Sequence, residues 1–150
     1  MSNDMIKFSR REDYGIILIN KLAQEYGKRL IPLSEIAQEY SISLLFLRNL
    51  AQEMRRAGLI KAVEGKTGGY YLTKEPQKIK MGEILSIFSR NQLLECCPVN
   101  QESHTRSCPK KDSCVTGNIW RQLNKEFLDK IYNLSLIDFM TYKLSKTNRS

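Results

Sequence analysis

The chain has 150 residues, of which 41% are hydrophobic, and a formal net charge of +8. This composition excludes wholesale disorder and leaves room for one domain with an appendage. The longest aliphatic run, residues 16–19, is far too short to cross a bilayer, and the polar N-terminus lacks the apolar region of a signal peptide. We therefore expect a cytoplasmic protein without a membrane partner. Its basic character favours a polyanionic partner, because the release of counterions from phosphates makes the binding of a basic protein more favourable in free energy.

The first part of the chain has apolar residues at helical spacing in three consecutive segments. A first helix is predicted over Tyr14–Tyr26, and Gly27 is typical of a helix end. Pro32 suits the first turn of a second helix, and residues 41–43 predict a tight turn. A third helix is predicted over Leu44–Ala57. Its inward residues are spaced by three and four: Leu47, Leu50, Ala51 and Met54.

Two short runs of β-forming residues follow, Leu59–Val63 and Tyr70–Thr73. They flank a glycine-rich loop at residues 64–69, so they predict a β-hairpin. Two helices joined by a tight turn and followed by a hairpin are typical of a winged helix-turn-helix. We predict a mainly α fold with a small β-wing, in which residues 6–76 form a DNA-binding domain.

The remainder of the chain is predicted to be helical on both sides of a polar loop. A helix over about Met81–Ser89 precedes this loop, which spans roughly residues 91–113. A shorter segment, Leu136–Leu144, and a flexible tail at residues 145–150 end the chain. Between the loop and the shorter segment, a long helix covers about Val115–Asn133. The apolar residues expected to be buried by this helix are Trp120, Leu123, Phe127, Ile131 and Leu134.

The third helix and the hairpin carry the residues that we predict to contact DNA. Arginine pairs with guanine, and asparagine or glutamine with adenine, in the major groove, whereas lysines of a wing position the protein on phosphates. The alternative interpretation is an ordinary solvated helix face. The predicted contacts of the helix are Ser43, Leu45, Arg48, Asn49, Gln52 and Arg55. Those of the wing are Lys61, Lys66, Thr67 and Gly68.

All four cysteines lie in the polar loop or directly after it. Ten residues separate Cys97 from Cys108 and five separate Cys108 from Cys114, with Cys96 beside Cys97. Clustered thiols in a reducing cytosol favour metal binding. Their long, unequal spacing differs from the paired C-x-x-C knuckles of zinc ribbons and suits an iron–sulfur cluster. We prefer Cys97 as the first ligand, with Cys96 as its alternative. Zinc bound by three cysteines and His104, the single histidine, and four free thiols are the other interpretations.

Several motifs together, in their order and spacing, resemble one known family over roughly Ile6–Thr141. It is the Rrf-two family of bacterial winged-helix transcriptional regulators, which includes IscR, NsrR, RirA and CymR. The matching segments are Lys7-Phe8-Ser9, Ile36-Ala37, Ile42-Ser43, Phe46-Leu47, Leu50, Gly58-Leu59-Ile60, the wing from Gly65 to Tyr70, Met81-Gly82-Glu83-Ile84, the cysteine loop and Trp120. The wing followed by three cysteines is the most specific part of this pattern.

The resemblance implies a homodimer that binds a double-stranded DNA operator and pairs through the long helix, within a region of residues 77–144. It also implies a 2Fe–2S or 4Fe–4S cluster on Cys97, Cys108 and Cys114, whose state controls operator binding in response to iron or cluster status, nitric oxide or oxidative stress. Gly117 stands where the IscR type has its histidine ligand, so that fourth ligand is absent. Asp13 occupies the position of the acidic ligand of the NsrR type. Its alternative role is a first-turn carboxylate facing the helix dipole.

Two further points limit the resemblance. The first gap between cysteines is longer than in familiar members, and Leu45 replaces a usually polar residue, so we expect a different operator from that of IscR. A cluster-free regulator of the same fold, controlled by a protein or small-molecule partner or by direct thiol redox, stays an alternative. Nothing in the sequence indicates an enzyme, because one histidine leaves little for general acid–base chemistry.

Overall fold

The structure is a computed structural model that describes residues 9–88 and 115–142. The predicted cysteine loop and the tail at 145–150 lie outside these ranges. The described elements follow the predicted order of helices, hairpin and helices. In chain order they are α1 (Arg10–Gln24), α2 (Leu33–Tyr40), α3 (Leu44–Arg56), β1 (Ile60–Val63), β2 (Gly69–Leu72), a 3₁₀ turn (Pro76–Lys78), α4 (Met81–Phe88), α5 (Val115–Asn133) and α6 (Leu136–Met140).

Helix α1 begins at Arg10, four residues before the predicted start, because a capping box forms at its N-terminus. The Ser9 hydroxyl accepts the N–H of Glu12 at 3.5 Å, and the Glu12 carboxylate accepts the N–H of Ser9 at 2.5 Å. This exchange satisfies two donors that a helix start otherwise leaves unpaired. The helix then buries Leu18, Ile19 and Leu22.

Helices α2 and α3 form the predicted helix-turn-helix. Ser41 ends α2 in the left-handed region with a φ of 54°, Ile42 is buried, and Ser43 caps α3 by accepting the N–H of Phe46 at 3.4 Å. The predicted inward face of α3 is confirmed, since all four of its apolar residues are buried. Gly58 has a φ of 78° and turns the chain out of α3 into the hairpin.

Strands β1 and β2 form an antiparallel hairpin with Ile60 opposite Leu72 and Lys61 opposite Tyr71. A further antiparallel bridge joins Tyr70 to Ile31, with N–H to O distances of 3.1 and 2.8 Å. This bridge fixes the hairpin beside the helix-turn-helix. The fold is therefore the predicted winged helix, mainly α with a small β-wing.

The segments after the wing fold back onto the winged helix. The N–H of Met81 donates to the carbonyl of Leu134, and the N–H of Leu136 donates to the carbonyl of Ile79, both at 2.8 Å. Leu136 is fully buried, in the same core cluster as Leu18 of α1 and the inward face of α3. The division of the chain at residue 76 stays a prediction, although the core is continuous across it.

The N-terminal turns of α5 differ from the prediction. Leu123 and Phe127 were predicted to be buried but are 45% and 38% exposed, and Ile119 is 51% exposed. The reason is that the described side chains of α5 that pack against the core, Ile131 and Tyr132, lie at its C-terminal end, just before the partly buried Leu134. The side chain of Trp120 lies outside the described structure. No helix in the described ranges is long and apolar enough to cross a membrane.

Candidate nucleic-acid interface and metal ligands

The polar face of α3 is directed to solvent along its whole length. Leu45 and Asn49 are one turn apart, Arg48 is beside them, and the opposite face of the helix is buried. The Ser43 hydroxyl oxygen accepts the N–H of Phe46 in the helix cap, which leaves its own O–H available as a donor at an exposed position. The six residues predicted to contact DNA here are all exposed: Ser43, Leu45, Arg48, Asn49, Gln52 and Arg55.

The wing presents its predicted residues in two different ways. Lys61, Lys66 and Thr67 are exposed. Gly68 is half-buried: a Cβ there would lie 2.1 Å from the carbonyl oxygen of Val63, so the turn admits only glycine. Its N–H donates to the carbonyl of Gly65 at 3.1 Å. Gly68 therefore shapes the wing tip, whereas the two lysines carry its charge.

The cations of this surface differ from Arg11, Lys21 and Arg29, each of which pairs with a carboxylate. Among the described residues, no acidic side chain forms an ion pair with Arg48, Arg55, Lys61 or Lys66. A cluster of uncompensated positive charge on one face is the electrostatic footprint of a nucleic-acid-binding domain.

Other cations are neutralised by contacts between helices. Arg11 Nη2 lies 2.6 Å from both carboxylate oxygens of Glu53, which joins α1 to α3. Arg29 binds Glu35 of α2 in bidentate fashion at 2.8 and 2.7 Å, and this hydrogen bonding holds the pKa of Glu35 below its ordinary value. Lys21 lies 2.6 Å from Glu39, whose hydrogen bond raises the pKa of the lysine. These pairs orient the helices and leave the α3 face as the basic surface.

A groove beside the start of α3 brings in a residue that the sequence analysis missed. Arg10 of α1 lines it together with Leu45 and Asn49, and its volume is about 390 Å³. Tyr14 and Phe46 also line the groove, and their rings meet edge to face with centroids 5.6 Å apart. The remaining lining residues are Ser41, Ile42 and Ser43. The only sequence feature that pointed to Arg10 was its place in a basic pair before the first helix.

The two acidic residues at the start of α1 have different environments. Glu12 is 6% exposed, and its carboxylate accepts the N–H of Ser9. Burial, and secondly the charge of Glu12, raise the pKa of the Tyr132 hydroxyl on α5. Asp13 is exposed and borders a shallow groove of about 290 Å³ that Phe139 of α6 also lines. Of the two carboxylates, that of Asp13 is accessible to a ligand.

The other predicted metal ligands lie outside the described residues. Within residues 9–88 and 115–142, no three cysteine, histidine or acidic side chains come close enough together to hold a metal ion. Cys114 immediately precedes Val115, the first residue of α5. The predicted ligands that precede α5 in the chain are Cys96, Cys97, His104, Cys108 and Cys114.

Comparison with known proteins gives the family. Residues 8–142 match the model of the Rrf2 (Rrf-two) family, which is described as an iron-dependent transcriptional regulator. The transcriptional regulator IscR of Pectobacterium atrosepticum is 29% identical over 90 residues, which are 60% of this chain and 52% of that relative. The chain therefore spans about half the length of this relative.

Two solved structures of transcriptional regulators match over most of their length. IscR of T. potens is 28% identical, covers 90% of this chain and 86% of its own, and has a TM-score of 0.68. CymR, the global cysteine regulator of B. subtilis, is 29% identical, covers 93% of this chain and 100% of its own, and has a TM-score of 0.69. With the winged helix and its basic face, these matches lead to one conclusion: the chain belongs to the Rrf2 family of transcriptional regulators.

Proposed function

We propose that this chain forms a homodimeric transcriptional regulator that binds double-stranded operator DNA under the control of an iron–sulfur cluster. The observation that carries the DNA-binding part is the exposed face of α3, where Arg48 and Asn49 stand among cations without acidic partners. An arginine and an asparagine near the start of such a helix suit base edges in the major groove, while Lys61 and Lys66 of the wing suit phosphates.

The dimer is supported by the apolar stripe of α5. Ile119, Leu123 and Phe127 recur every four residues and are exposed, so one side of the helix leaves three large apolar side chains in water. A second α5 placed against this stripe would bury them. Two winged helices held in this way would occupy half-sites about one turn of DNA, roughly 34 Å, apart.

The cluster is supported by its donor set. Cys97, Cys108 and Cys114 would supply three thiolates, and Asp13 would supply a fourth ligand from α1. Of the two adjacent carboxylates, Glu12 is committed to the capping box, whereas Asp13 is exposed and makes no ion pair with another described residue. Cys96 stays the alternative to Cys97, and His104 the alternative fourth ligand. When bound, the cluster would supply a centre that reacts with oxygen or nitric oxide and is lost when iron is scarce.

Coupling to DNA would pass through α1. Asp13 lies two residues from Arg11, and the Arg11 guanidinium holds both carboxylate oxygens of Glu53 on α3. A displacement of Asp13 when the cluster binds or is lost would therefore shift α3, the helix that would contact the bases. A change of about 1–3 kcal/mol in coupling free energy, roughly 5- to 150-fold in affinity, is typical of such a switch.

The test is to purify the full chain anaerobically and to measure iron, sulfide and dimer mass on the same sample. Operator candidates selected from a randomised duplex library are then titrated with the cluster-loaded and the cluster-free protein at the same salt concentration. We expect different affinities or different operator preferences. Equal binding by both forms would exclude the sensor, and protein without iron or sulfide after reconstitution would exclude the cluster.

A second candidate is a cluster-free regulator controlled by a partner or by the thiols themselves. The observation that favours it is that CymR of B. subtilis, a cysteine regulator, matches this chain as well as IscR of T. potens does. In this case anaerobic protein would be colourless and free of iron, and operator affinity would respond to a thiol oxidant or to a protein partner instead.

A further inference from the structure

Leu45 is unusual among the apolar residues of the domain. It is 68% exposed, more than any other large hydrophobic side chain in the described ranges. It is the second residue of α3, directly after the first turn begins at Leu44, and it lies on the same face as Arg48 and Asn49. The helix is already capped by Ser43, so neither capping nor the core accounts for a leucine at this position.

The surroundings of Leu45 extend this apolar character. The groove at the start of α3 is lined by Leu45, Ile42, Tyr14 and Phe46, with Arg10 and Asn49 as its main polar residues. An apolar group in contact with Leu45 would therefore also lie near the apolar residues of this groove and near Asn49, which is proposed to contact a base. A chemical partner for this patch must be small, apolar and next to hydrogen-bonding groups.

The edges of DNA bases in the major groove offer one such group, the C5-methyl group of thymine. We propose that Leu45 is a specificity-determining residue that contacts a thymine methyl group in each half-site. The proposal rests on the proposed DNA-binding function. Arg48 and Asn49 would read neighbouring bases by hydrogen bonds, while Leu45 would select thymine through apolar contact alone. Cytosine methylated at C5 carries the same methyl group and would be accepted at the same position.

The first experiment uses the wild-type protein and duplexes selected from a randomised library. Each thymidine of the selected sequence is replaced in turn by deoxyuridine, which removes the methyl group and keeps every hydrogen-bonding atom. We expect that replacing one particular thymidine in each half-site lowers the affinity of the protein for the duplex by about tenfold, equal to about 1.4 kcal/mol. The comparison is made at constant salt. Deoxyuridine at the remaining positions should have smaller effects.

The second experiment asks whether Leu45 is responsible. Leu45→Ala should bind the thymidine and deoxyuridine duplexes equally, whereas Leu45→Met, which keeps a large apolar side chain, should retain part of the preference. Tyr26→Ala is the matched control, because Tyr26 is also exposed, at 40%, but lies beyond the end of α1 and does not line the groove. It should preserve the full preference.

The possible failures are distinguishable. If no sequence is enriched from the library, the proposed function fails. If a sequence is enriched but no thymidine is sensitive to loss of its methyl group, the role of Leu45 is overturned while DNA binding stands. If the sensitive thymidine stays equally sensitive in Leu45→Ala, another residue contacts the methyl group and the proposal is again overturned.

Discussion

The ring of Phe88 lies directly over Gly15, so closely that a Cβ at position 15 would be 2.4 Å from Phe88 Cε2. Gly15 is in α1, two residues after Asp13, and Phe88 is the last residue of α4 before the segment that carries the cysteines. The contact therefore joins the helix that holds the proposed carboxylate ligand to the helix that leads into the proposed thiolate ligands.

We expect Gly15→Ala to lower the free energy of unfolding by about 1–3 kcal/mol, because the added methyl group forces α1 and α4 apart. Without that clash, alanine would favour the helix by about 1 kcal/mol. Urea unfolding of the variant measures the difference. In a Phe88→Ala background the same substitution should cost less. A Gly15→Ala protein as stable as the wild type would show that the helices adjust without loss.

Leu123→Glu should convert the dimer to a monomer, because it places a charge in the exposed apolar stripe of α5 that we propose as the dimer interface. Sedimentation equilibrium at micromolar concentration measures the change. Lys125→Glu is the control, since Lys125 is exposed on α5 outside the stripe. If both variants remain dimeric, the stripe is not the interface.

Asp13→Asn tests the proposed fourth ligand. The amide is a poorer ligand than the carboxylate, so we expect the cluster to be lost in air about tenfold or more faster, an effect of the size seen when groups that support a metal site are removed. Absorption and iron content follow the loss. Asp129→Asn, at an exposed position of α5, should behave like the wild type. Unchanged cluster content and lifetime in Asp13→Asn would remove Asp13 from the ligand set.

The two kinds of DNA contact should respond differently to mutation. Arg48→Ala should weaken binding by about 1–3 kcal/mol and relax preference at one base pair, whereas Lys66→Ala should weaken binding to all sequences and reduce the salt dependence by about one counterion. Titration of the selected duplex at several salt concentrations separates the two effects. Lys28→Ala, at an exposed lysine beyond the end of α1, should change neither. A uniform loss in Arg48→Ala would make Arg48 a phosphate contact.

The Arg29–Glu35 pair predicts a pH dependence of stability. Arg29 holds the pKa of the Glu35 carboxyl below its ordinary value of 4.5, so the folded state binds this proton more weakly than the unfolded state. The stabilisation is therefore complete well above pH 4.5 and is lost as the pH falls through the lowered folded-state pKa. Glu35→Gln should be less stable than the wild type at pH 7, and the difference should shrink as the pH falls below 4.5. A constant difference from pH 7 to about pH 3 would contradict the assignment.

The features that the sequence determined by itself are those that depend on neighbouring residues. Spacing by three and four placed Leu47, Leu50, Ala51 and Met54 on one face of α3, and Ser43 and Gly58 marked its ends, because caps and helical period are local properties. The wing followed from β-forming runs around glycines. The polar face of α3, including Leu45 and Arg48, was predicted for the same reason.

Tertiary structure decided what covers each face and which distant residues meet. The period of α5 put Leu123 and Phe127 on one stripe, but only packing decides whether a stripe is buried, and among the described side chains of this helix it is those at the C-terminal end that pack against the core. The Ser9–Glu12 capping box that separates Glu12 from its neighbour Asp13 is a local pattern, but it is packing that buries the Glu12 side chain and leaves Asp13 exposed. Arg10 comes to line the groove at α3 because α1 packs across that helix, and such a contact between distant segments has no local pattern to predict it.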